Sequence, residues 1–161
     1  MVSYSDAQLA AQSLLAEGGP RYACLAGGTR SGKTFLIVRA ILERAETAPG
    51  STHAILRLHA NAAKASISQE TIPAVRRLCF PALDLAEHRT DQVWSLKNGS
   101  RITVGGLDDA GRVERILGLE YSTVFLNGTC TTGEKNRRFK VIRDIGATTS
   151  SPFGRGVKGR R

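Results

Sequence analysis

Residues 27 to 34 read G-G-T-R-S-G-K-T, and this stretch decides how the rest of the chain is interpreted. A glycine-rich turn that ends in Gly-Lys-Thr lets successive backbone N–H groups converge on the phosphates of a nucleotide. An apolar run at residues 22–26 precedes the turn, and an amphipathic stretch at residues 33–46 follows it. The sequence therefore predicts a phosphate-binding loop between a buried strand and a helix.

The residue types of this loop predict ATP and Mg²⁺ as ligands. Eight consecutive residues would form the cradle: Gly27, Gly28, Thr29, Arg30, Ser31, Gly32, Lys33 and Thr34. The ammonium of Lys33 would act on the β and γ phosphates, and the hydroxyl of Thr34 would ligate Mg²⁺. The positive end of the following helix also favours an anion. Arg30 would either neutralise charge on the transferred phosphoryl group or point into solvent, and the sequence leaves both alternatives open.

Strand and helix signals alternate along the chain as far as Asn127. Helices are predicted at residues 6–17, 33–46, about 61–78 and 109–117, and strands at residues 22–26, 53–58, 93–96, 101–104 and 121–126. Pro73 is expected to kink or divide the third helix. Asn-Gly at the centre of residues 97–100 predicts a hairpin. This order predicts an α/β domain of the P-loop NTPase class, with a largely parallel sheet flanked by helices.

The net charge of +9 is concentrated near the end of the chain. Residues 1–127 carry 14 Lys and Arg against 12 Asp and Glu, whereas residues 128–161 carry 9 against 2. The second segment also contains six glycines and a T-T-S-S-P run, a composition that favours disorder. We therefore predict a domain over residues 1–127 and a basic, disordered tail over residues 128–161. The tail would bind nucleic acid through salt-sensitive phosphate contacts, or would be a solvated end without a role.

Composition excludes several other classes of protein. The first 19 residues carry acidic and amide side chains and do not form a secretion signal, and no window approaches the roughly 20 apolar residues of a membrane span. The three cysteines are widely spaced and form no C-x-x-C pair, which argues against a metal site or a disulfide framework. The expectation is a cytoplasmic protein without membrane contact.

Five stretches of the chain, in order, resemble the N-terminal ATPase domain of the phage terminase large subunit. They are LAGGTRSGKTF (25–35), HAILRL (53–58), LCFP (78–81), NGSRITVGGLDD (98–109) and ILGLEYSTVFLN (116–127). The resemblance implies ATP hydrolysis that drives double-stranded DNA into a procapsid. It also implies the portal protein and the terminase small subunit as partners, a ring of subunits, and the cytoplasm of a phage-infected or prophage-carrying bacterium as the location.

The resemblance also assigns roles to single positions. Arg30 matches an arginine that terminases place within the loop to act on the γ-phosphate. Residues 121–127 match an apolar strand that ends in Asp-Glu in the family, so Asn127 takes the place of the Asp and would offer an amide oxygen to Mg²⁺. Gly128 takes the place of the Glu that activates the attacking water. A positioned general base typically contributes about 10²- to 10⁴-fold in rate, so ATP binding with little turnover is expected.

Two further assignments stay open at this point. Gln8 or Gln12 would correspond to an upstream glutamine that contacts adenine in the family, but a solvated helix face is the simpler interpretation. Arg112 and Arg115 would correspond to an arginine that acts across a subunit interface, and again a solvated helix face is simpler.

The resemblance stops at residue 127. The coupling motif, the rest of the sheet and the nuclease domain with its RNase H-like fold have no counterpart in the sequence. The expectation is a large subunit truncated by a frameshift, an insertion or the decay of a prophage gene. Two alternatives are a basic nucleic-acid-binding module with a vestigial nucleotide site, and another P-loop enzyme such as a helicase-like ATPase or a small-molecule kinase.

Overall fold

The computed structural model describes residues 3–16, 22–28, 30–108, 114, 116 and 118–127, together with the backbone of residues 140–144. The helices are α1 (Asp6–Leu15), α2 (Lys33–Thr47), α3 (Ala60–Ala63) and α4 (Ile72–Cys79), and a π-helical segment (Lys64–Thr71) joins α3 to α4. The strands are β1 (Tyr22–Cys24), β2 (Thr52–Arg57), β3 (Leu85–His88), β4 (Val93–Leu96), β5 (Arg101–Gly106), β6 (Thr123–Asn127) and β7 (Lys140–Asp144).

The described strands form one sheet in the order β1-β7-β6-β2-β5-β4-β3. β2 pairs in parallel with β5 and β6, and the other pairings are antiparallel. Because β7 and β4 each run against both of their neighbours, the remaining five strands all point the same way. The ends of β1, β6, β2 and β5 therefore meet at one edge, called the carboxyl edge below. The predicted α/β class and the largely parallel orientation are confirmed.

The main core lies between α2 and one face of the sheet. α2 buries apolar residues at helical spacing: Leu36, Ile37, Val38, Ile41, Leu42 and Ala45. Ile55 of β2 and Phe125 of β6 belong to the same core and are fully buried. A smaller cluster that contains Ala54 and Leu56 lies on the other face of β2. Since α2 is anchored along its length, its first residue, Lys33, has a fixed position at the carboxyl edge.

The predicted helix over residues 61–78 is a single helical run that changes its hydrogen bonding. The N–H of Ile72 bonds to the carbonyl of Ile67, a π-type contact, and α-helical bonding resumes there. Pro73 lies in the first turn of α4. Because the hydrogen bonding changes from π to α just before Pro73, the missing amide of proline falls where the regular ladder is already altered. The helical run is not broken at Pro73, so the predicted division is wrong; the change from π- to α-helical hydrogen bonding falls one residue before the proline.

Two strands were not predicted from the sequence. β3 has the sequence L-A-E-H, without β-branched residues, and is stabilised by antiparallel pairing with β4. β7 lies within the segment predicted to be disordered, so that prediction is wrong for residues 140–144. The backbone of β7 pairs with β1 on one side and β6 on the other. The average composition of residues 128–161 concealed the short run K-V-I-R-D, whose strand pairing depends on residues far away in sequence.

Some element boundaries differ from the predicted ones. β1 ends at Cys24 rather than at residue 26, and β6 runs from Thr123 to Asn127 rather than from 121 to 126. The hairpin of β4 and β5 forms as predicted, with the Leu96 N–H donating to the Ser100 carbonyl at 2.9 Å. The predicted helix over residues 109–117 lies largely outside the described residues. None of the described helices is long and apolar enough to cross a membrane.

Candidate nucleotide-binding site

The predicted phosphate loop lies between the end of β1 and the start of α2, at the carboxyl edge. Gly32 immediately precedes α2 and has φ 79°, a left-handed conformation that glycine adopts without steric cost. Gly27, at the other end of the turn, has φ 151°. The Leu36 N–H donates to the Gly32 carbonyl at 3.0 Å and closes the first turn of the helix, which contains the half-buried Thr34. Both glycines of the pattern thus occupy backbone conformations that disfavour a residue with a Cβ.

The side chain of Lys33 folds back over the loop that precedes it. Its Nζ donates to the carbonyl of Gly28 at 2.5 Å, to the carbonyl of Gly27 at 3.0 Å and to Oγ of Ser31 at 2.6 Å. An ammonium group has three N–H donors, so the loop engages all three. The positive charge is therefore held within the turn, and Ser31 Oγ is the only one of its acceptors on a rotatable side chain.

Arg30 is exposed within the loop and has φ 62°. A left-handed backbone costs a residue with a Cβ about 1–2 kcal/mol, so the surrounding loop imposes this conformation. Its guanidinium is available to solvent or to a ligand, and a role on the γ-phosphate stays a prediction. Thr29, the neighbouring member of the predicted cradle, lies outside the described residues.

Gln8 of α1 contacts the phosphate loop directly, which the sequence alone did not indicate. Its Nε2 donates to the carbonyl of Ser31 at 3.2 Å, and its Oε1 accepts the N–H of Ser5 at 2.9 Å. Gln12 instead lines a cavity of about 180 Å³ between α1 and α2. The interpretation of a solvated helix face is therefore wrong for Gln8. The resemblance had marked Gln8 only as a candidate for contact with adenine.

Asn127 ends β6 at the same edge as the loop. Cys24 of β1 and Leu126 of β6 both pair with Val141 of β7, which separates the two strands. Two inter-strand spacings amount to about 10 Å, so Asn127 lies within reach of a ligand of nucleotide size bound at the loop. Its side chain is half-buried. Gly128, where the resemblance places a Glu, lies outside the described residues.

Arg57 pairs with Asn127 across β2 and β6, but its side chain turns to the helical run. One guanidinium nitrogen donates to the carbonyl of Ala62 at 3.2 Å and also to Oγ of Ser66. Ser66 Oγ itself donates to the Ala62 carbonyl at 2.7 Å. Arg57 is thus a structural cation that fixes the start of the helical run after β2.

The end of β5 is held against the helical run by a carboxylate. Both carboxylate oxygens of Asp108 accept the N–H of Ala60, at 3.2 and 3.3 Å, and the nearer oxygen lies 3.5 Å from Nδ1 of His59. Burial alone would raise the pKa of Asp108, but the backbone hydrogen bonds and His59 outweigh it and lower the pKa. A Cβ at Gly106 would lie 2.3 Å from the nitrogen of Ala60. Sequence reasoning gave these residues no role.

His53 lies at the opposite edge of the sheet and forms a buried pair with Ser51. Its Nε2 is 2.8 Å from Oγ of Ser51, which donates to Oγ of Ser100 at 3.2 Å. Burial, reinforced by the charge of Arg44, lowers the pKa of His53 to about 4. Although a Ser–His contact can mark a nucleophile and its base, this imidazole is 1% exposed and is a structural group.

Residues 24–151 match the sequence model of a family described as the terminase large subunit, T4-like virus type, N-terminal. The chain belongs to this terminase family. The match confirms the resemblance and extends beyond residue 127, where the predicted tail begins, to include β7. Part of that segment is therefore shared with terminases. Arg112 and Arg115, also assigned from the resemblance, lie outside the described residues.

Two solved structures of the large terminase from the thermophilic bacteriophage D6E have a similar fold. Crystal form 2 matches with a TM-score of 0.62 at 14% identity, over 78% of this chain and 32% of that chain. A complex with ATP-gamma-S, crystal form 3, matches with a TM-score of 0.54 at 16% identity, over 78% and 31%. The chain thus spans about a third of the length of these terminases. Among curated proteins there is no significant match.

Proposed function

We propose that this terminase chain binds ATP at residues 27–34, as the nucleotide-binding part of a motor that packages double-stranded viral DNA. The position of the Lys33 ammonium carries the proposal, because the loop holds it at the N-terminus of α2. That helix end adds a partial positive charge where an anion would bind. Membership of the terminase family and the ATP-gamma-S complex of a structural relative support the same ligand.

The residues present fit a Mg²⁺ ion that is held mainly by the nucleotide. Thr34 would supply a hydroxyl oxygen and Asn127 an amide oxygen, and Mg²⁺ accepts neutral oxygen ligands alongside phosphates and water. The part of the chain that the structure describes contains no group of three or more His, Cys, Asp or Glu side chains suited to a metal. When bound, Mg²⁺ would neutralise charge on the phosphates.

We expect this chain to bind ATP but to hydrolyse it slowly. Asn127 brings no negative charge, and Gly128 has no side chain that could orient and deprotonate water. The loss of a positioned general base costs about 10²- to 10⁴-fold in rate. Arg30 and Lys33 would still stabilise charge on the phosphates, so slow hydrolysis is the expected activity.

Membership of the family supports a proposal about the partners of the motor. We propose that the domain acts on double-stranded DNA together with the portal protein and the terminase small subunit. Assembly into a ring, in the cytoplasm of a phage-infected or prophage-carrying bacterium, belongs to the same proposal. In this proposal the whole large subunit would also carry a nuclease domain.

Thermal or urea unfolding with and without magnesium ATP tests nucleotide binding. A ligand at 100 times its Kd stabilises the folded state by about 2.7 kcal/mol, and we expect Lys33→Ala to abolish this gain. Lys97→Ala is the matched control, because Lys97 is an exposed lysine whose Nζ pairs with Asp84 at 2.6 Å. The absence of stabilisation in the unmodified chain, or its persistence in Lys33→Ala, would contradict the proposal.

A second candidate function, a basic nucleic-acid-binding module, is favoured by the 9 Lys and Arg against 2 Asp and Glu in residues 128–161. Deletion of residues 145–161 tests it while keeping β7. This deletion removes a basic cluster: Arg155, Lys158, Arg160 and Arg161. Salt-dependent DNA binding that is lost with the deletion, in a chain that ATP does not stabilise, would support the module over the motor domain.

A further inference from the structure

The amide of Gln8 connects the first turn of α1 to the main chain of the phosphate loop. It accepts the N–H of Ser5 at 2.9 Å and donates to the carbonyl of Ser31 at 3.2 Å. The packing at this point is tight, since a Cβ at Gly32 would lie 2.7 Å from Nε2 of Gln8. Gln8 therefore meets the loop at the peptide bond that joins Ser31 to Gly32.

The orientation of this peptide bond affects phosphate binding. In a trans peptide the carbonyl and the N–H point in opposite directions, and the described residues contain no cis peptide. Because Gln8 holds the Ser31 carbonyl toward α1, the Gly32 N–H points away from α1. Phosphate loops bind their ligand through the direction of such N–H groups. Glycine next to this bond would otherwise let the peptide rotate at little cost.

We propose that Gln8 is a positioning residue of the nucleotide site, which orients the Ser31–Gly32 peptide for phosphate binding. The inference rests on the proposed function, since it concerns the same loop. It assigns to Gln8 an effect on the triphosphate that does not depend on the base. A glutamine that reads adenine would affect only ligands that carry the base.

Two substitutions at Gln8 separate the loop contact from the helix cap. Gln8→Glu keeps an acceptor for the Ser5 N–H, because Glu and Gln are both favoured at this position of a capping box, but it removes the donor to Ser31. Gln8→Met is uncharged and of similar length, and removes both contacts. Gln12→Glu and Gln12→Met make the same changes at the next turn of α1, where the side chain lines a cavity.

Calorimetry on the full chain would measure the Kd for magnesium ATP and for magnesium tripolyphosphate, which has the phosphates without the base. We expect both Gln8 variants to bind both ligands about fivefold more weakly, as the loss of one hydrogen bond predicts. The Gln12 variants should change either Kd less than about twofold. If the Gln8→Met variant is destabilised, Gln8→Glu, which keeps the cap, gives the comparison.

Three outcomes would overturn the inference in different ways. Unchanged binding in both Gln8 variants would remove the positioning role. Weaker binding of ATP with unchanged binding of tripolyphosphate would show that Gln8 contacts the base. In both cases binding that is lost in Lys33→Ala leaves the proposed function standing, whereas a chain that binds neither ligand loses both proposals.

Discussion

The two edges of the sheet differ in how far their polar side chains are buried. At the amino edge His53 is 1% exposed and pairs with Ser51, and Ser100 Oγ donates to the carbonyl of Ala48 at 2.9 Å. At the carboxyl edge Lys33 and Arg30 belong to a turn between a strand and a helix. The comparison teaches that burial and strand direction separate the structural polar groups of the amino edge from the loop groups that can meet a ligand.

Strand direction explains why the candidate ligand site is at the carboxyl edge. The strands that run in one direction bring their following loops to one edge, and the helix after β1 starts there with the positive end of its dipole. Asn127 reaches this edge because β6 runs with β2 and β5. At the amino edge the helices end and their carbonyls need donors, which Asn98 supplies to Ala45 at 2.7 Å.

Gly106→Ala is the substitution with the largest expected effect on the carboxyl edge. The new Cβ would lie 2.3 Å from the Ala60 nitrogen and 2.5 Å from the Ala60 Cα, and neither backbone atom can move aside alone. We expect a loss of about 3 kcal/mol in the free energy of unfolding, measured with urea. Gly28→Ala is the control, since a Cβ there meets nothing within 4 Å. Equal stability of the two variants would show that this edge is not tightly packed.

Acid should weaken the amino edge before the carboxyl edge. His53 has a pKa of about 4 in the folded chain and about 6.5 when unfolded, so the unfolded state alone takes up a proton between these values. The contribution of His53 to the free energy of unfolding is complete above pH 6.5. It falls as the pH drops toward 4, by about 2 kcal/mol at pH 4.5. Urea midpoints from pH 7.5 to 4.5 would measure this slope.

Substitution of His53 and of His59 in turn identifies the source of this slope. We expect His53→Gln to flatten the stability profile between pH 6.5 and 4.5, because the titrating group is removed. His59→Gln, which replaces an exposed histidine that follows β2, is the matched control. A profile that depends on His59 and not on His53 would reverse the comparison of the two edges.

Gly128→Glu should restore part of the chemistry at the carboxyl edge. If β6 presents residue 128 next to the loop, a carboxylate there can act as a general base, and we expect the ATPase rate to rise at least about tenfold. Gly128→Gln has the same size without a proton acceptor of that strength, so its rate should stay at the level of the unmodified chain. A rate that does not rise in Gly128→Glu would count against the assigned base position.

Ser31→Ala should have the smallest effect. It tests whether the Lys33 ammonium must give up the Ser31 hydroxyl when a phosphate binds. Ser31 Oγ accepts one N–H of Lys33 at 2.6 Å, and a phosphate oxygen would have to replace it. We expect ATP to bind equally well or up to about fivefold more tightly after the substitution. Ser13→Ala, which removes an exposed hydroxyl of α1 bonded to Leu9, is the control. Weaker binding would show that Ser31 Oγ itself contacts the nucleotide.

Local sequence patterns were sufficient to predict the loop and most of the helices and strands. The spacing from Gly27 to Thr34 specified a turn, a strand before it and a helix after it, and the Asn-Gly turn specified the hairpin. These features depend on residues close together in sequence, whose conformational preferences act alone. The strand that ends at Asn127 was predicted for the same reason, with its boundary displaced by one or two residues.

Contacts between distant segments could not be predicted in this way. β3 and β7 are strands because β4, β1 and β6 offer partners, and neither has a strong signal of its own. The close approach of Gly106 to Ala60 becomes visible only when β5 and α3 are brought together. The contact of Gln8 with the loop spans 23 residues in sequence and depends on how α1 packs.

The sequence by itself determined the class of the domain and the glycine-rich turn between β1 and α2, because these features depend on residues that lie close together in sequence. The tertiary structure alone decided which side chains surround that loop. It placed Gln8 against the loop, brought Asn127 to the same edge, and buried His53 at the other. Packing and strand direction fix these positions, and both are properties of the assembled sheet rather than of any one segment.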